Sequence, residues 1–206
     1  VCIRDRAMKT AGKRAHALGH PIVIDPVGVS GSSYRREKCL ELMKIIHPTC
    51  IRGNYSEIQA LLHNCGTVTG VDAAGDALAE AEETDLPELM KQYAKENQMI
   101  LVASGEIDLI TDGSCVYRCH NGSPMMARIT GSGCMSTVML GAFLSAENSV
   151  ESAVACCAFT GIAGELAAKE MTAQKRGTMT FRNWFIDAVS LMTPEQLEHG
   201  TDVDWF

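Results

Sequence analysis

The sequence predicts an α/β fold with a mostly parallel central sheet between helices. Short β-branched runs alternate with stretches of helical period, and each run ends in polar or glycine-rich residues. Composition agrees. Of the 206 residues, 46% are hydrophobic and 5% aromatic, with 18 glycines, which suits a well-packed α/β protein rather than a β-sandwich or a disordered chain. At this length a single domain over residues 1–206 is expected.

Taken in order, Ala7 to Gly19 reads as a helix with Ala7, Met8, Ala11, Ala15 and Leu18 at spacings of three and four, closed by Gly19 at its C-terminal cap. The charged segment Val1 to Arg6 before it matches no strand or helix start and reads as a junction. Ile22-Val23-Ile24 is a short strand. The Gly/Ser-rich loop Gly28 to Ser33 leads into a helix from Tyr34 to Ile46, burying Cys39, Leu42, Met43 and Ile46. Thr49 to Ile51 is the second strand, and a helix capped by Ser56 follows, with Ile58, Leu61 and Leu62 inward. Asp72 to Leu78 reads as loop-to-helix, Glu80 to Asp85 as a solvated charge cluster, and Leu86 to Glu96 as an amphipathic helix. Met99 to Ala103 is the third strand. Ile107 to Thr111 and Cys115 to Cys119 then form a hairpin about Asp112-Gly113, and Asn121-Gly122 is a turn. From Cys134 onward the chain reads as helices, Met135 to Ala146, Val150 to Met171 and Phe181 to Met192, rich in small residues that permit close helix packing.

Charge narrows the function. With 18 Lys+Arg against 25 Asp+Glu, the net charge of −7 lacks the basic footprint of a nucleic-acid binder or of a protein held on an anionic membrane surface. No apolar run is expected to approach the ~20 residues of a membrane span. The nine cysteines are odd in number and include no CxxC pair, which argues against a disulfide framework and for the reducing cytoplasm.

In open α/β sheets ligands sit beyond the carboxyl ends of the strands, so residues just after Ile24, Ile51 and Ala103 carry the most information. They are Asp25-Pro26-Val27-Gly28, Arg52-Gly53-Asn54-Tyr55-Ser56-Glu57 and Ser104-Gly105-Glu106. Asn54 and Glu57 lie three apart, on one face of a starting helix. Thr130-Gly131-Ser132-Gly133-Cys134 precedes a long helix. Its backbone N–H groups and the helix dipole make a seat for an anionic oxygen such as a phosphate, and the dipole favours a reactive thiolate at Cys134. The competing reading is a glycine turn entering a core helix with a buried cysteine. No GxxxxGK occurs, which excludes a P-loop. His16 and His20 lack a third metal ligand, and Cys115, Cys119, Cys156 and Cys157 read as core residues. A cysteine hydrolase would need a histidine beside Cys134, and none of the six is expected at a strand end or loop beside the Gly131 turn.

Pro21-Ile-Val-Ile-Asp-Pro-Val-Gly28, Ile51-Arg-Gly-Asn-Tyr-Ser-Glu57, Ser104-Gly-Glu-Ile-Asp108, Thr111-Asp-Gly113 and Thr130-Gly-Ser-Gly-Cys134, in register from about Ala7 to Met192, closely resemble the hydroxyethylthiazole kinases of thiamine salvage. The resemblance implies a ribokinase-like three-layer αβα sandwich. It also implies transfer of the ATP γ-phosphate to the hydroxyl of 4-methyl-5-(2-hydroxyethyl)thiazole with Mg²⁺, and a homotrimer with no nucleic-acid or membrane partner. By the same resemblance Arg52 and Ser104 contact ATP, Gly131 contacts substrate, and Gly131, Ser132, Gly133 and Cys134 form the anion hole. Cys134 is the catalytic position, where related sugar kinases carry Asp. Asp25 and Glu57 serve the metal, Glu57 partly through water, with Asn54 in support. Ser104 and Ser132 stand where Thr is common and keep the hydroxyl. The family has a further upstream segment with the first strands of the sheet, so the chain is expected to be N-terminally truncated. A hydroxymethylpyrimidine-type kinase and an inactive nucleotide-binding fragment are the alternatives.

Overall fold

A computed structural model of the chain describes residues 2–63 and 86–206. The expected segment Asp72 to Leu78 and the cluster Glu80 to Asp85 lie outside the described residues. The chain divides into two compact units, Val1–Ala103 with Thr111–Val116, and Ser104–Ile110 with Tyr117–Phe206.

The first unit contains helices α1 (Cys2–Ala17), α2 (Ser33–Ile46), α3 (Tyr55–Leu62) and α4 (Leu86–Asn97) with strands β1 (Val23–Ile24), β2 (Cys50–Asn54) and β3 (Ile100–Ser104) up to Ala103. The strands lie in the order β1-β2-β3, with β1 and β2 parallel in the register Val23↔Cys50 and Ile24↔Ile51. Ile51, Leu101, Val102 and Ala103 are fully buried, as strands covered on both faces require. Leu42, Met43 and Ile46 of α2 and Ile58, Leu61 and Leu62 of α3 are buried as their spacing predicted.

Helix α1 departs from expectation twice. It begins at Cys2, with Asp5 in its first turn, where the helix dipole favours a carboxylate. Its apolar positions also do not form the buried face: Met8 and Leu18 are half exposed, and Ala7 and Ala11 face solvent. Among the positions of α1 whose burial is described, the buried one is Gly12, where a Cβ would lie 2.5 Å from Ile46 Cγ2. Close approach of backbone, rather than an apolar stripe, packs α1 on α2. Lys9 of α1 and Lys38 of α2 both pair with Glu41. Gly19 is left-handed at φ +69°, as the cap expectation held.

The second unit contains most of β4 (Asp108–Thr111) and β5 (Val116–Cys119), then a 3₁₀ turn at Pro124–Arg128, α5 (Ser132–Ala146), α6 (Val150–Ala173), α7 (Thr178–Leu191), α8 (Pro194–Gly200) and β6 (Val203–Trp205). The turn between β4 and β5 forms as the Asp-Gly signal indicated. Gly113 sits at φ +96°, and Thr111 Oγ1 accepts from Gly113 N at 2.9 Å. β6 pairs antiparallel with β5, Tyr117↔Trp205 and Cys119↔Val203, so the chain does not end in helices as expected and the strand pairing is mixed. Ile129, Ala163, Ala167, Phe181 and Phe185 form the core of this unit, lined by Met125, Met126, Met135 and Met139.

Helix α6 corrects the expectation that no apolar run nears membrane-spanning length. By length and composition it could cross a membrane, yet 61% of its most apolar window is buried in the fold. Its glycines admit the segment after β5 rather than one of the long helices. A Cβ on Gly161 would lie 2.5 Å from Asn121 Cβ, and one on Gly164 would lie 2.5 Å from Met126 Sδ, so α6 receives the loop after β5.

Candidate active site

Four of the expected site residues lie in the first unit. Asp25 follows β1 directly and is half-buried, and Arg52 is half-buried within β2. The second strand therefore runs on through Arg52-Gly53-Asn54, past its expected end at Ile51. Gly53 permits this: it is buried, and a Cβ there would lie 3.1 Å from Pro26 Cγ and 3.2 Å from Glu57 Cβ.

Asn54, not Ser56, caps α3. Its Oδ1 accepts from Glu57 N at 2.9 Å, and Glu57 Oε2 accepts from Asn54 N at 3.0 Å, completing a reciprocal capping box. Ser56 only donates to Asn54 Oδ1, at 2.8 Å. The other carboxylate oxygen, Oε1, accepts from Gly28 N at 2.7 Å. Glu57 is 9% exposed, so this carboxylate joins the loop after β1 to the start of α3 away from bulk water. Asn54 and Glu57 are thereby tied to Gly28, in the loop that Asp25 opens.

The remaining expected residues lie in the second unit. Ser104 ends β3, half-buried, and the following Gly105 donates to Asp108 Oδ1 at 3.0 Å. Gly131 is the N-cap of α5 at φ +98°, a left-handed conformation suited to glycine. It offers no side-chain cap, so no side chain of the cap residue competes for the first-turn N–H groups. Ser132 Oγ donates to Met126 O at 2.8 Å, which leaves the backbone as what Ser132 offers an anion. Cys134 is the third residue of the helix and exposed, which removes the buried-cysteine reading of this turn.

Among the other described thiols, Cys39 and Cys115 are only half-buried, short of the core placement expected of them. Cys50, Cys119, Cys156 and Cys157 are buried, and burial pushes the Cys119 thiol up to about 12. His120 follows β5, and its Nε2 lies 3.3 Å from Asp204 Oδ2, a carboxylate that Arg118 also grips at 2.6 Å.

Asn121 was missed as more than a turn residue. It is buried, its Nδ2 donates to Glu165 Oε1 at 3.1 Å and to Gly200 O at 2.8 Å, and its Oδ1 accepts from Asp202 N at 2.8 Å. Its neighbour Gly122 donates its N–H to the same Glu165 oxygen at 2.8 Å. The partners are 44 to 81 residues away, so Asn-Gly read locally gives a turn and nothing more.

The elements of the two units make up a ribokinase-like α/β fold, shared with solved structures of two small-molecule kinases. In fold the chain is similar to the pyridoxal kinase of Staphylococcus aureus, at a TM-score of 0.52 and 21% identity over 78% of this chain and 57% of that one. It is more similar to the hydroxyethylthiazole kinase structure from Pyrococcus horikoshii, at a TM-score of 0.81 and 27% identity over 98% of this chain and 72% of that one. The family model described as "Hydroxyethylthiazole kinase family" matches residues 3–195, and the chain belongs to that family. The match includes residues 3 to 6, inside the segment read as a junction. Hydroxyethylthiazole kinase of Clostridium acetobutylicum is 36% identical over 195 residues, 93% of this chain and 71% of that protein. Hydroxyethylthiazole kinase 1 of Methanosphaera stadtmanae is 38% identical over 190 residues, 89% of this chain and 67% of that protein.

Proposed function

We propose that this protein transfers the γ-phosphate of ATP to the primary hydroxyl of 4-methyl-5-(2-hydroxyethyl)thiazole. Family membership supports the reaction class, and the observation that carries the site is the start of α5. There a left-handed Gly131 leaves the helix without a side-chain cap, next to an exposed Cys134. Backbone N–H groups from Gly131 to Cys134 hold the oxygens of the moving phosphoryl group, whose charge grows in a loose transition state. Cys134 as thiolate takes the proton of the acceptor hydroxyl while the new O–P bond forms, and the bond to the bridging oxygen of ADP breaks. Arg52 and Ser104 hold ATP.

The donor set suits Mg²⁺. Asp25, directly after β1, and Glu57, in the first turn of α3, are carboxylates, the hard oxygen donors such an ion takes. That is the usual pattern for a Mg²⁺ held by one or two carboxylates together with nucleotide phosphates. Asp25 and Glu57 would hold it, Glu57 through water, with Asn54 in support. When bound, the ion neutralises phosphate charge.

Assembly as a homotrimer in the cytoplasm belongs to the same reading. Exposed Met8, Leu18, Val27 and Tyr34 supply apolar surface for subunit contacts, and the free thiols suit a reducing compartment. The deciding measurement is substrate-dependent ADP formation with the thiazole alcohol, hydroxymethylpyrimidine and ribose side by side. The thiazole alcohol is expected to give the highest kcat/KM, and preference for either of the others overturns the assignment.

A further inference from the structure

We propose that Glu57 is a positioning residue, a bracket that fixes the Asp25–Gly28 loop and so sets where Asp25 stands. The inference rests on the kinase reading above but concerns how the first unit builds its share of the site. Both carboxylate oxygens are engaged by backbone donors on different segments. Oε1 accepts from Gly28 N at 2.7 Å and Oε2 from Asn54 N at 3.0 Å, 29 and 3 residues away. Hydrogen bonds of this kind, from amides to an ionised and buried acceptor, are the strong ones.

Three neighbouring features serve the same contact. Gly28 adopts φ +75°, and that bend accompanies the N–H pointing at Glu57. Pro26 fixes the preceding backbone and is buried. Gly53 admits both: a Cβ would come within 3.1 to 3.3 Å of Pro26 Cγ, Glu57 Cβ and Glu57 Oε2. The capping box alone would need only Asn54 and Glu57. The additional bond to Gly28 turns a helix cap into a link between the ends of β1 and β2.

The role has a signature in the protein without nucleotide or metal. Gly28 N and Asn54 N address different carboxylate oxygens, and a glutamine at position 57 puts an NH₂ donor in place of one of them, so with the side chain in the same place one of the two N–H groups faces a donor. Amide hydrogen exchange followed by NMR in the metal-free protein is expected to quicken at least ~10-fold at Gly28 or Asn54 in Glu57→Gln, with the amides of β3 unchanged. Gly28→Ala is the companion variant. It keeps the carboxylate but strains the left-handed bend and brings a Cβ 2.6 Å from Arg35 Nη1.

If Glu57 acts through the loop, both variants raise KM for ATP several-fold more than they lower kcat. Unchanged protection of both amides in Glu57→Gln overturns the proposal. So does a Gly28→Ala protein with wild-type kinetics beside an inactive Glu57→Gln, because the carboxylate would then act directly. Should Glu57→Gln fail to fold, Gly28→Ala alone decides: the bracket requires the KM rise, and its absence refutes it. Preference for another alcohol would overturn the thiazole assignment while leaving the exchange result standing.

Discussion

Cys134 stands exposed on the third residue of α5, one residue beyond Gly133 and three beyond a left-handed Gly131. That placement makes a sharp prediction. Cys134→Ala keeps the helix and the backbone N–H groups but removes the proposed proton acceptor, a contribution that would be worth ~10²- to 10⁴-fold in kcat. Nucleotide affinity is expected to survive, since Arg52 and Ser104 belong to other strands. Steady-state kcat measured beside ATP binding checks both halves, and an unchanged kcat removes the base role. At this scale the motifs were legible because glycine and strand-end polarity leave local marks: Gly19, Gly113 and Gly131 all take the positive φ their positions suggested. Gly12 and Asn121 were not legible. What each requires is set by a partner distant in sequence, Ile46 for one and Glu165 and Gly200 for the other.

Among the elements, α3 shows how a local motif was half read. Asn54 and Glu57 at a spacing of three read as one face of a starting helix with Ser56 as its cap, and the strand before them is expected to end at Ile51. In the structure Asn54 both ends β2 and caps α3, so no connecting loop exists. Asn54→Ala removes the acceptor for Glu57 N and is expected to cost about 0.5 to 2 kcal/mol, read as a lower urea midpoint at unchanged m-value. Ser56→Ala loses only an exposed bond to Asn54 and should lie within about 0.5 kcal/mol of wild type. The reverse ranking would restore Ser56 as the cap. Helix α1 fails for a different reason. Its apolar spacing is real, but a helix that packs through glycine turns whichever side lies over Gly12 toward its neighbour, and Met8 and Leu18 are left outside.

Over the whole molecule, the response to pH follows from groups whose ionisation differs between folded and unfolded chain. On the acid side Glu41 is held at about 2 by Lys38 and then Lys9; its contribution is present above the ordinary carboxylate range and lost as pH falls through about 2. That pair is solvent-exposed, so salt screens it and little stability rides on it. The alkaline side has a buried group. Burial raises the Cys119 thiol from about 9 to about 12, with the carboxylates of Asp108, Asp202 and Glu165 adding to the effect. Below pH 9 both states are neutral and the native state loses nothing. Between about 9 and 12 the unfolded chain ionises while the folded one cannot, so native stability declines as pH rises and the loss is complete above the folded value. Cys119→Ala removes this group. The variant is expected to melt lower at pH 7.5, where it loses only packing, and to close on wild type as pH approaches 11, while Lys and Tyr ionisation affects both proteins alike. Thermal melts of the two proteins at half-unit steps from pH 7.5 to 11 provide the comparison. A gap in Tm that stays constant across that range would mean the Cys119 thiol ionises equally in both states, and its burial would then have no part in the alkaline limit.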